Sequence, residues 1–163
     1  MNIFMPYEDI TKSVRALDDK RLNKQILECY QILQVALGNS HGYENHPVVR
    51  HYVRYPICCE LYALDCCIEY MFRFGVQHKY SNFFEGVSYE ELISNKNRYP
   101  FCDTFLYAEY QAFDPRCIRE IDTERVTALF RDKLVRKWKQ DIKNGRPPKW
   151  TNRGAPEFWE ETI

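Results

Sequence analysis

The sequence lacks the features of a membrane-spanning, secreted or disordered chain. Its 163 residues contain no apolar stretch of about eighteen residues and no charged-then-apolar leader, so we expect no membrane span and no signal peptide. Alternation of apolar and polar residues, which marks a half-buried strand, is almost absent. Hydrophobic residues make up 45% of the chain and aromatic residues 15%, which is enough to form a substantial core.

The cysteine spacing typical of metal sites is also missing. Seven cysteines are present, an odd number, and none of them forms a C-x-x-C motif. Two adjacent pairs, Cys58–Cys59 and Cys66–Cys67, occur within a segment of helical periodicity. We therefore predict reduced, mostly buried thiols in a cytosolic protein, with no metal centre.

A formal net charge of zero hides an uneven distribution of charge. Residues 131–153 contain nine Lys or Arg against two Asp, and residues 12–24 contain five cations against two acids. Residues 84–122 reverse the balance, with eight acids against four cations. Because attraction of phosphate depends on local charge, the two basic regions favour a nucleic-acid partner that the net charge does not suggest.

Helix signals predict a mainly α, compact single-domain fold over residues 1–163, with three long helices and several short ones. After a short extended start at residues 2–5, we predict a first helix over residues 7–16 and a long helix that has Asp18 or Asp19 as N-cap and ends before Gly38. A further helix runs from Pro47 to Tyr55, breaks at Pro56 and continues to Phe74. Two short helices follow, residues 89–95, opened by Ser88 with Glu91, and Asp103 through Gln111, before a last long helix from near Asp122 to before Gly145.

The helix that begins at Asp18 or Asp19 has two contrasting sides. An apolar stripe recurs at helical spacing, and the opposite side carries Asp18, Arg21, Lys24, Gln25 and Glu28. One interpretation is a solvated face with ordinary intrahelical pairs. The other is a functional face built around one carboxylate.

In the helix that continues from Pro56, the predicted core-facing stripe is Ile57, Leu61, Leu64, Ile68, Met71 and Phe72.

Basic residues gather in three further places. On the last long helix, Arg125, Arg136, Lys139 and Lys143 share one side, and in the tail NGRPPKWTNRG three cations, Arg146, Lys149 and Arg153, surround Trp150. Within NHPVVRHYVRY, Arg50 and Arg54 are one turn apart, and we take the two histidines there as structural. Cations beside an aromatic ring suit a nucleic-acid groove. Equally, Trp150 can anchor the tail to the core while the cations stay solvated.

Three blocks of sequence resemble the phage endonuclease V type of pyrimidine-dimer DNA glycosylases. The pattern D-x-x-L-x-x-Q-x-x-E, from Asp19 to Glu28, resembles the catalytic helix of that family. ELYALDCCIEYMFRFG (60–75) is similar to its central helix, and RPPKW (146–150) to its Arg-Pro-x-Trp motif. The starts PYEDI and LDDKRLNKQI also resemble bacterial proteins of the PYPDF…LDxxRLGKQR type. The resemblance rests mainly on the fact that these blocks occur in the same order along the chain as in the family.

The resemblance implies a DNA glycosylase with abasic-site lyase activity and no cofactor. In such enzymes the free α-amine attacks C1′ of the damaged nucleotide to form a Schiff base, and a carboxylate assists the β-elimination that cuts the strand. Matched by position, the amine belongs to Met1 and the carboxylate is that of Glu28. The chemistry is reasonable because an α-amine has a pKa of roughly 7.7–8.0 in model peptides, so part of it is neutral near physiological pH.

The implied partner is double-stranded DNA, and the implied protein is a monomer that acts in the cytoplasm or, if viral, in the host cytoplasm. Arg21 and Lys24 are expected to hold phosphates beside the lesion, and a base is expected to leave the stack, with Trp150 or a tyrosine between residues 43 and 62 inserted into the duplex. The full set of expected DNA contacts is Arg15, Arg21, Lys24, Gln25, Arg50, Arg54, Arg136, Arg146, Lys149, Trp150 and Arg153.

Differences from the family pattern leave alternative hypotheses open. Asn2 replaces a small residue, so Met1 stays in place, Arg21 replaces a His, and Leu27 replaces an Arg. One alternative is a DNA-binding or host-interaction protein that kept the fold without the chemistry. Another is a protein-partner surface around FCDTFLYAEYQAF (101–113), although an aromatic run of this kind is more often core.

Overall fold

The computed structural model describes residues 1–94 and 122–163, and these residues form a mainly α fold, as predicted. Their elements are α1 (Ile10–Ala16), α2 (Asp19–Ala36), α3 (Pro47–Arg54), α4 (Pro56–Phe74), α5 (Ser81–Gly86), α6 (Tyr89–Ile93), α7 (Thr123–Lys143) and α8 (Glu157–Glu160). The three long helices are α2, α4 and α7. The predicted helix from Asp103 through Gln111 and the aromatic run 101–113 lie outside the described residues.

Most helix ends follow the local signals in the sequence. Gly38, just beyond α2, and Gly75, the C-cap of α4, have φ of 79° and 68°, a left-handed conformation that glycine adopts without a steric penalty. Ser88 accepts a hydrogen bond from Glu91 N–H at the start of α6. The first helix begins three residues later than predicted, because the Asp9 side chain accepts a hydrogen bond from Lys12 N–H and so caps the helix at Ile10.

The core forms where α2 packs against α4, with α3 beside α2 and α1 beside α4. The five cysteines among the described residues are free and buried, as predicted. Four of them, Cys58, Cys59, Cys66 and Cys67, lie on the inner side of α4. Such small side chains allow the backbones of packed helices to approach closely.

The predicted core stripe of α4 is mostly wrong. Ile57 is buried, but Leu61, Ile68, Met71 and Phe72 are exposed. The inward side of the helix instead carries the cysteines with Tyr62, Ala63, Glu69 and Arg73. The physical reason is that polar groups on this side are paired internally, with Tyr62 bonded to the N-terminal segment and Arg73 to Glu69, so their burial carries a smaller penalty than their residue type suggests.

The N-terminal segment, residues 2–6, pairs with no strand in the described part of the chain and is nonetheless largely buried. Ile3, Phe4 and Met5 are each at most 5% exposed. The ring of Phe4 meets that of Phe130 on α7 edge-on at 6.1 Å, and Arg131 of α7 donates to the Pro6 carbonyl at 2.8 Å. The segment therefore runs between α7 and the α2–α4 pair. Among the described residues, no helix has both the length and the apolar character needed to cross a bilayer.

Candidate active site

The polar side of α2 is not a solvated face. Arg21, Gln25 and Glu28 are 8%, 1% and 6% exposed, because the N-terminal segment and α7 cover them. Only Lys24 on this side extends into solvent, with its Nζ 3.7 Å from Glu28 Oε1. The interpretation of this face as ordinary surface charge is therefore wrong.

Gln25 ties the start of the chain to α2. Its Oε1 accepts hydrogen bonds from Phe4 N–H at 2.9 Å and from the Tyr62 hydroxyl at 3.0 Å. Its Nε2 donates to the Asn2 carbonyl at 2.7 Å and to Glu28 Oε2 at 3.0 Å. One amide thus fixes the N-terminal segment and orients the Glu28 carboxylate. Both polar atoms of the Gln25 side chain have protein partners, and its contact with DNA stays a prediction.

Arg21 is held in a buried network rather than directed at solvent. Its Nη1 lies 2.6 Å from Asp141 Oδ2 on α7 and 3.1 Å from Asp18 Oδ2. Asp18 also accepts from Trp138 Nε1 at 2.7 Å, which explains why its side chain does not cap α2. Arg21 links α2 to α7, and its contacts favour this structural role over the predicted phosphate contact.

A cavity of about 240 Å³ opens between α2, α7 and the N-terminus. Met1 and Glu28 both line it, so the two predicted catalytic residues lie at one site. The remaining lining residues are Asn2, Phe4, Lys20, Arg21, Lys24, Gln25 and Lys137. Arg21 is neutralised by Asp18 and Asp141, but the exposed Lys20, Lys24 and Lys137 around one carboxylate make a cavity suited to a phosphodiester beside a reacting sugar.

Burial raises the pKa of Glu28 above its ordinary value. Lys24, the positive charge of the N-terminus, and hydrogen bonds from the Asn2 backbone and Gln25 act in the opposite direction. Both the effect of the N-terminal charge and the hydrogen bond from Asn2 arise because the start of the chain lies close to this carboxylate. A buried carboxylate with a raised pKa is better suited to accept a proton than an exposed one.

Two cations of this cavity, Lys20 and Lys137, were not singled out from the sequence. Burial, with Arg21 and Lys24 nearby, lowers the pKa of Lys137, while Glu28 acts in the opposite direction. Lys137 is on α7, in the run RKWKQ, and the basic side assigned to that helix did not include it. Its position one residue before the buried Trp138 is the only sequence signal, and it does not reveal which side of α7 faces the N-terminus.

The tail residues of the predicted groove are bound to the protein. Trp150 donates from Nε1 to the Ala16 carbonyl at 3.0 Å and meets Trp138 edge-on at 5.1 Å, so it anchors the tail. The Lys149 carbonyl accepts from Asp19 N–H at 2.8 Å and caps α2. Arg153 makes two hydrogen bonds to Glu69, at 2.9 and 3.0 Å, and covers the Phe72 ring at 3.9 Å.

The other predicted DNA contacts are exposed and do not line the cavity. Arg136 borders the adjoining surface with Asn2 and Lys137. Arg50 donates to Asn45 at 2.9 Å, and Arg15, Arg54 and Arg146 extend into solvent on α1, on α3 and in the tail. Their roles in binding DNA stay predictions. Within residues 1–94 and 122–163, no cluster of three or more His, Cys, Asp or Glu is arranged as a metal site.

The fold and the cavity define a mainly helical protein with a cationic cavity at its N-terminus. The chain belongs to the pyrimidine dimer DNA glycosylase family, whose model matches residues 1–82. Comparison with curated proteins and with solved structures gives no match. The matched region contains α1–α4, Met1 and Glu28, and it confirms the resemblance seen in the sequence. DNA is therefore the substrate class, and glycosylase chemistry the broad function.

Proposed function

We propose that the protein is a DNA glycosylase and abasic-site lyase that acts on pyrimidine dimers in double-stranded DNA through the α-amine of Met1. The observation that carries the proposal is that Met1 and Glu28 line the same cationic cavity. The effect of the N-terminal charge on the pKa of Glu28 supports the proximity of the two groups, and the surrounding cations attract a polyanion.

In the proposed first step, the neutral α-amine of Met1 attacks C1′ of the damaged nucleotide. The C1′–N bond to the base breaks, and the base leaves with the electron pair and a proton. Glu28, as a carboxylate, stabilises the positive charge that develops on the sugar. The nitrogen lone pair then forms a second bond to C1′, the C1′–O4′ bond breaks, and O4′ takes a proton from solvent. The product is an iminium between Met1 and C1′ that keeps the second amine proton.

In the second step, Glu28 takes a proton from C2′. The electrons of that C–H bond form a C2′–C3′ double bond, the C3′–O bond breaks, and the phosphate departs with the downstream strand. Water then hydrolyses the imine and frees Met1. Lys24 on α2 and Lys137 on α7 line the same cavity and are suited to hold the flanking phosphates.

Strand cleavage tests the proposal. Duplexes with a single cyclobutane pyrimidine dimer or a single abasic site are incubated with the wild type, Glu28→Gln and, as a matched control, Glu90→Gln on the exposed side of α6. Cleavage of both duplexes by the wild type and by the control is expected. Glu28→Gln is expected to lose about 10²–10⁴-fold in rate while still binding DNA, because proton transfer is removed and charge repulsion is not increased. Binding without cleavage by the wild type would instead favour a non-catalytic DNA-binding protein.

A further inference from the structure

An apolar stripe on α4 faces solvent, on the side of the helix that points away from α2. Its exposed members are Leu61 (43%), Ile68 (68%), Met71 (49%) and Phe72 (53%). Leu64 lies between them and is partly buried against the core. The inward side of α4 carries the cysteines and Tyr62, which is bonded to Gln25 of α2. Exposed apolar patches of this kind mark surfaces where another molecule binds.

The spacing of the stripe fits an α-helix as the binding partner. Leu61 and Ile68 are seven residues apart, as are Leu64 and Met71, and the four together follow the alternating spacing of three and four residues that lines one seam of a helix. In heptad notation, Leu61 and Ile68 occupy position a, and Leu64 and Met71 occupy position d. Side chains at a and d insert between those of a second helix that lies along the first.

The charged residues that flank the stripe are acidic. Glu60 at position g and Asp65 at position e form no salt bridge with any cation in residues 1–94 or 122–163. Burial raises the pKa of both carboxyl groups, and Arg15 partly offsets this at Asp65. Arg153, at the C-terminal end of the stripe, is already paired with Glu69. A Lys or Arg beside the apolar residues of a partner helix would therefore meet an opposite charge.

The same charges disfavour three other occupants of this face. In a parallel pair of two copies of this chain, position g of one helix faces position e of the next heptad in the other, so Glu60 would face Asp65 on both sides. The aromatic run at residues 101–113 contains two acids and no Lys or Arg, so it supplies no opposite charge. An anionic membrane surface would be repelled by the two carboxylates.

We propose that this face of α4 binds an amphipathic helix of another protein, one with apolar residues at positions a and d and with Lys or Arg beside them. The residues of the stripe do not belong to the lining of the cavity that contains Met1 and Glu28. A partner helix bound to α4 therefore leaves that cavity open to DNA. The proposal goes beyond the reaction proposed above and does not depend on it.

Binding of two synthetic peptides to the full chain tests the proposal in the absence of DNA. Both peptides are helices of three heptads with Leu at a and d. One has Lys at every e and g position and the other has Glu there, and these like charges keep each peptide from pairing with itself. By isothermal titration calorimetry, the wild type is expected to bind the Lys peptide at least about tenfold more tightly than the Glu peptide.

Three variants locate the binding surface. Ile68→Gln removes the most exposed side chain of the stripe and is expected to weaken binding of the Lys peptide by about tenfold. Ile142→Gln, the same change at an exposed isoleucine of α7, is the matched control and is expected to bind like the wild type. Glu60→Lys is expected to weaken binding of the Lys peptide and to strengthen binding of the Glu peptide. Urea unfolding should give similar stabilities for all four proteins, because the substituted side chains are on the surface.

Other results would overturn the proposal. Binding of neither peptide would mean that the stripe accepts no helix, and equal binding of both would mean that the flanking carboxylates do not select a basic partner. Binding unaffected by Ile68→Gln would place the peptide elsewhere on the protein. A wild-type dimer in sedimentation that Ile68→Gln converts to a monomer would assign the stripe to a second copy. Binding to phosphatidylglycerol vesicles that is lost in Ile68→Gln would assign it to a membrane surface.

Discussion

At the scale of single residues, the proposed function depends on Glu28, a carboxylate in a buried position that disfavours its charged form. Burial raises the pKa of Glu28, so the folded protein binds a proton at this residue more readily than the unfolded chain does. The stability associated with Glu28 is thus fully present below the unfolded pKa and is lost as the pH rises through the folded pKa. A residue that costs stability at neutral pH is what a functional site is expected to contain.

Glu28→Gln is therefore expected to raise the free energy of unfolding at neutral pH and to leave it nearly unchanged at acidic pH, where Glu28 is already protonated. Urea unfolding of the variant and of Glu90→Gln across this range measures the difference. In the same range, wild-type cleavage should fall as Glu28 becomes protonated, beginning at a higher pH than an ordinary glutamate would give. A pH-independent difference in stability would contradict this reasoning.

Lys24 and Arg21 should respond differently to substitution although both are basic residues of α2. Lys24→Ala removes an exposed cation of the cavity, so the slope of log K against log salt for DNA binding should fall by about 0.9, with little change in stability. Arg21→Met breaks the nearly buried pairs with Asp18 and Asp141, so the free energy of unfolding should fall by about 3–5 kcal/mol, with no change in the salt slope. Salt titrations of binding and urea unfolding check both. A smaller salt slope for Arg21→Met together with an unchanged slope for Lys24→Ala would instead make Arg21 the phosphate ligand.

Sequence reasoning at this scale reached some residues and missed others for a physical reason. The spacing shows Glu28 as one carboxylate among cations on a helix face, while its proposed catalytic role comes from the resemblance to the family. The burial of Arg21 depends on Asp141, 120 positions away in the sequence, and the role of Lys137 depends on which side of α7 meets the N-terminus. Helical periodicity carries no information on contacts at such separations.

At the scale of elements, the site depends on how the N-terminal segment is attached to α2. Gln25, itself 1% exposed, makes hydrogen bonds to four groups, on Asn2, Phe4, Glu28 and Tyr62. Without its amide, the Phe4 N–H and the Asn2 carbonyl lose these partners, and the start of the chain loses the bonds that attach it to α2.

Gln25→Leu is expected to lower the free energy of unfolding by about 1–3 kcal/mol for each buried group left unpaired, and to slow cleavage of abasic DNA. Gln34→Leu is the matched control, because it makes the same change on the same helix at a residue whose hydrogen bond to Asn39 is exposed. Urea unfolding and the cleavage rate are measured for both. A Gln25→Leu protein as stable as the control would show that the segment is held by apolar packing alone.

Element ends were largely predictable, whereas the inward side of α4 was not. The residues that begin or end helices act within a few residues of their own position, so the sequence alone locates these helix ends. Examples are Gly38, Gly75, Ser88 and Asp122. The inward side of α4 depends on helix–helix fit, and small cysteines with paired polar residues there displaced the larger apolar side chains of Leu61 and Ile68 to the surface.

At the scale of the whole molecule, a buried ion network joins the tail to α2 and α4. Arg73 is fully buried and pairs with Glu69 at 2.9 Å and with Asp19 at 3.0 Å. Arg153 from the tail binds the same Glu69, and Thr151 binds Asp19. Hydrogen bonds from Arg153 and Arg73 lower the pKa of Glu69 in spite of its burial. Residues from three distant parts of the sequence thus hold one another in place.

Glu69→Gln should remove up to about 3–5 kcal/mol from the free energy of unfolding, because two arginines lose their shared carboxylate. Since the folded pKa of Glu69 is lowered, its contribution is present above the unfolded pKa and is lost as the pH falls through the folded pKa. The difference between wild type and variant in urea unfolding should therefore be large at neutral pH and shrink in acid. Asp65→Asn, a half-exposed position on the same helix, is the control, and equal effects of the two substitutions would contradict the role of the network.

The most direct measurement is the mapping of a trapped covalent adduct. The protein is incubated with duplex DNA carrying one abasic site in the presence of borohydride, and the adduct is digested and located by mass spectrometry. The proposed mechanism predicts a reduced DNA adduct on the α-amine of Met1, which disappears when that amine is chemically blocked beforehand. An adduct on a lysine, an adduct that survives the block, or DNA cleavage with no adduct would show that the Met1 amine is not the nucleophile.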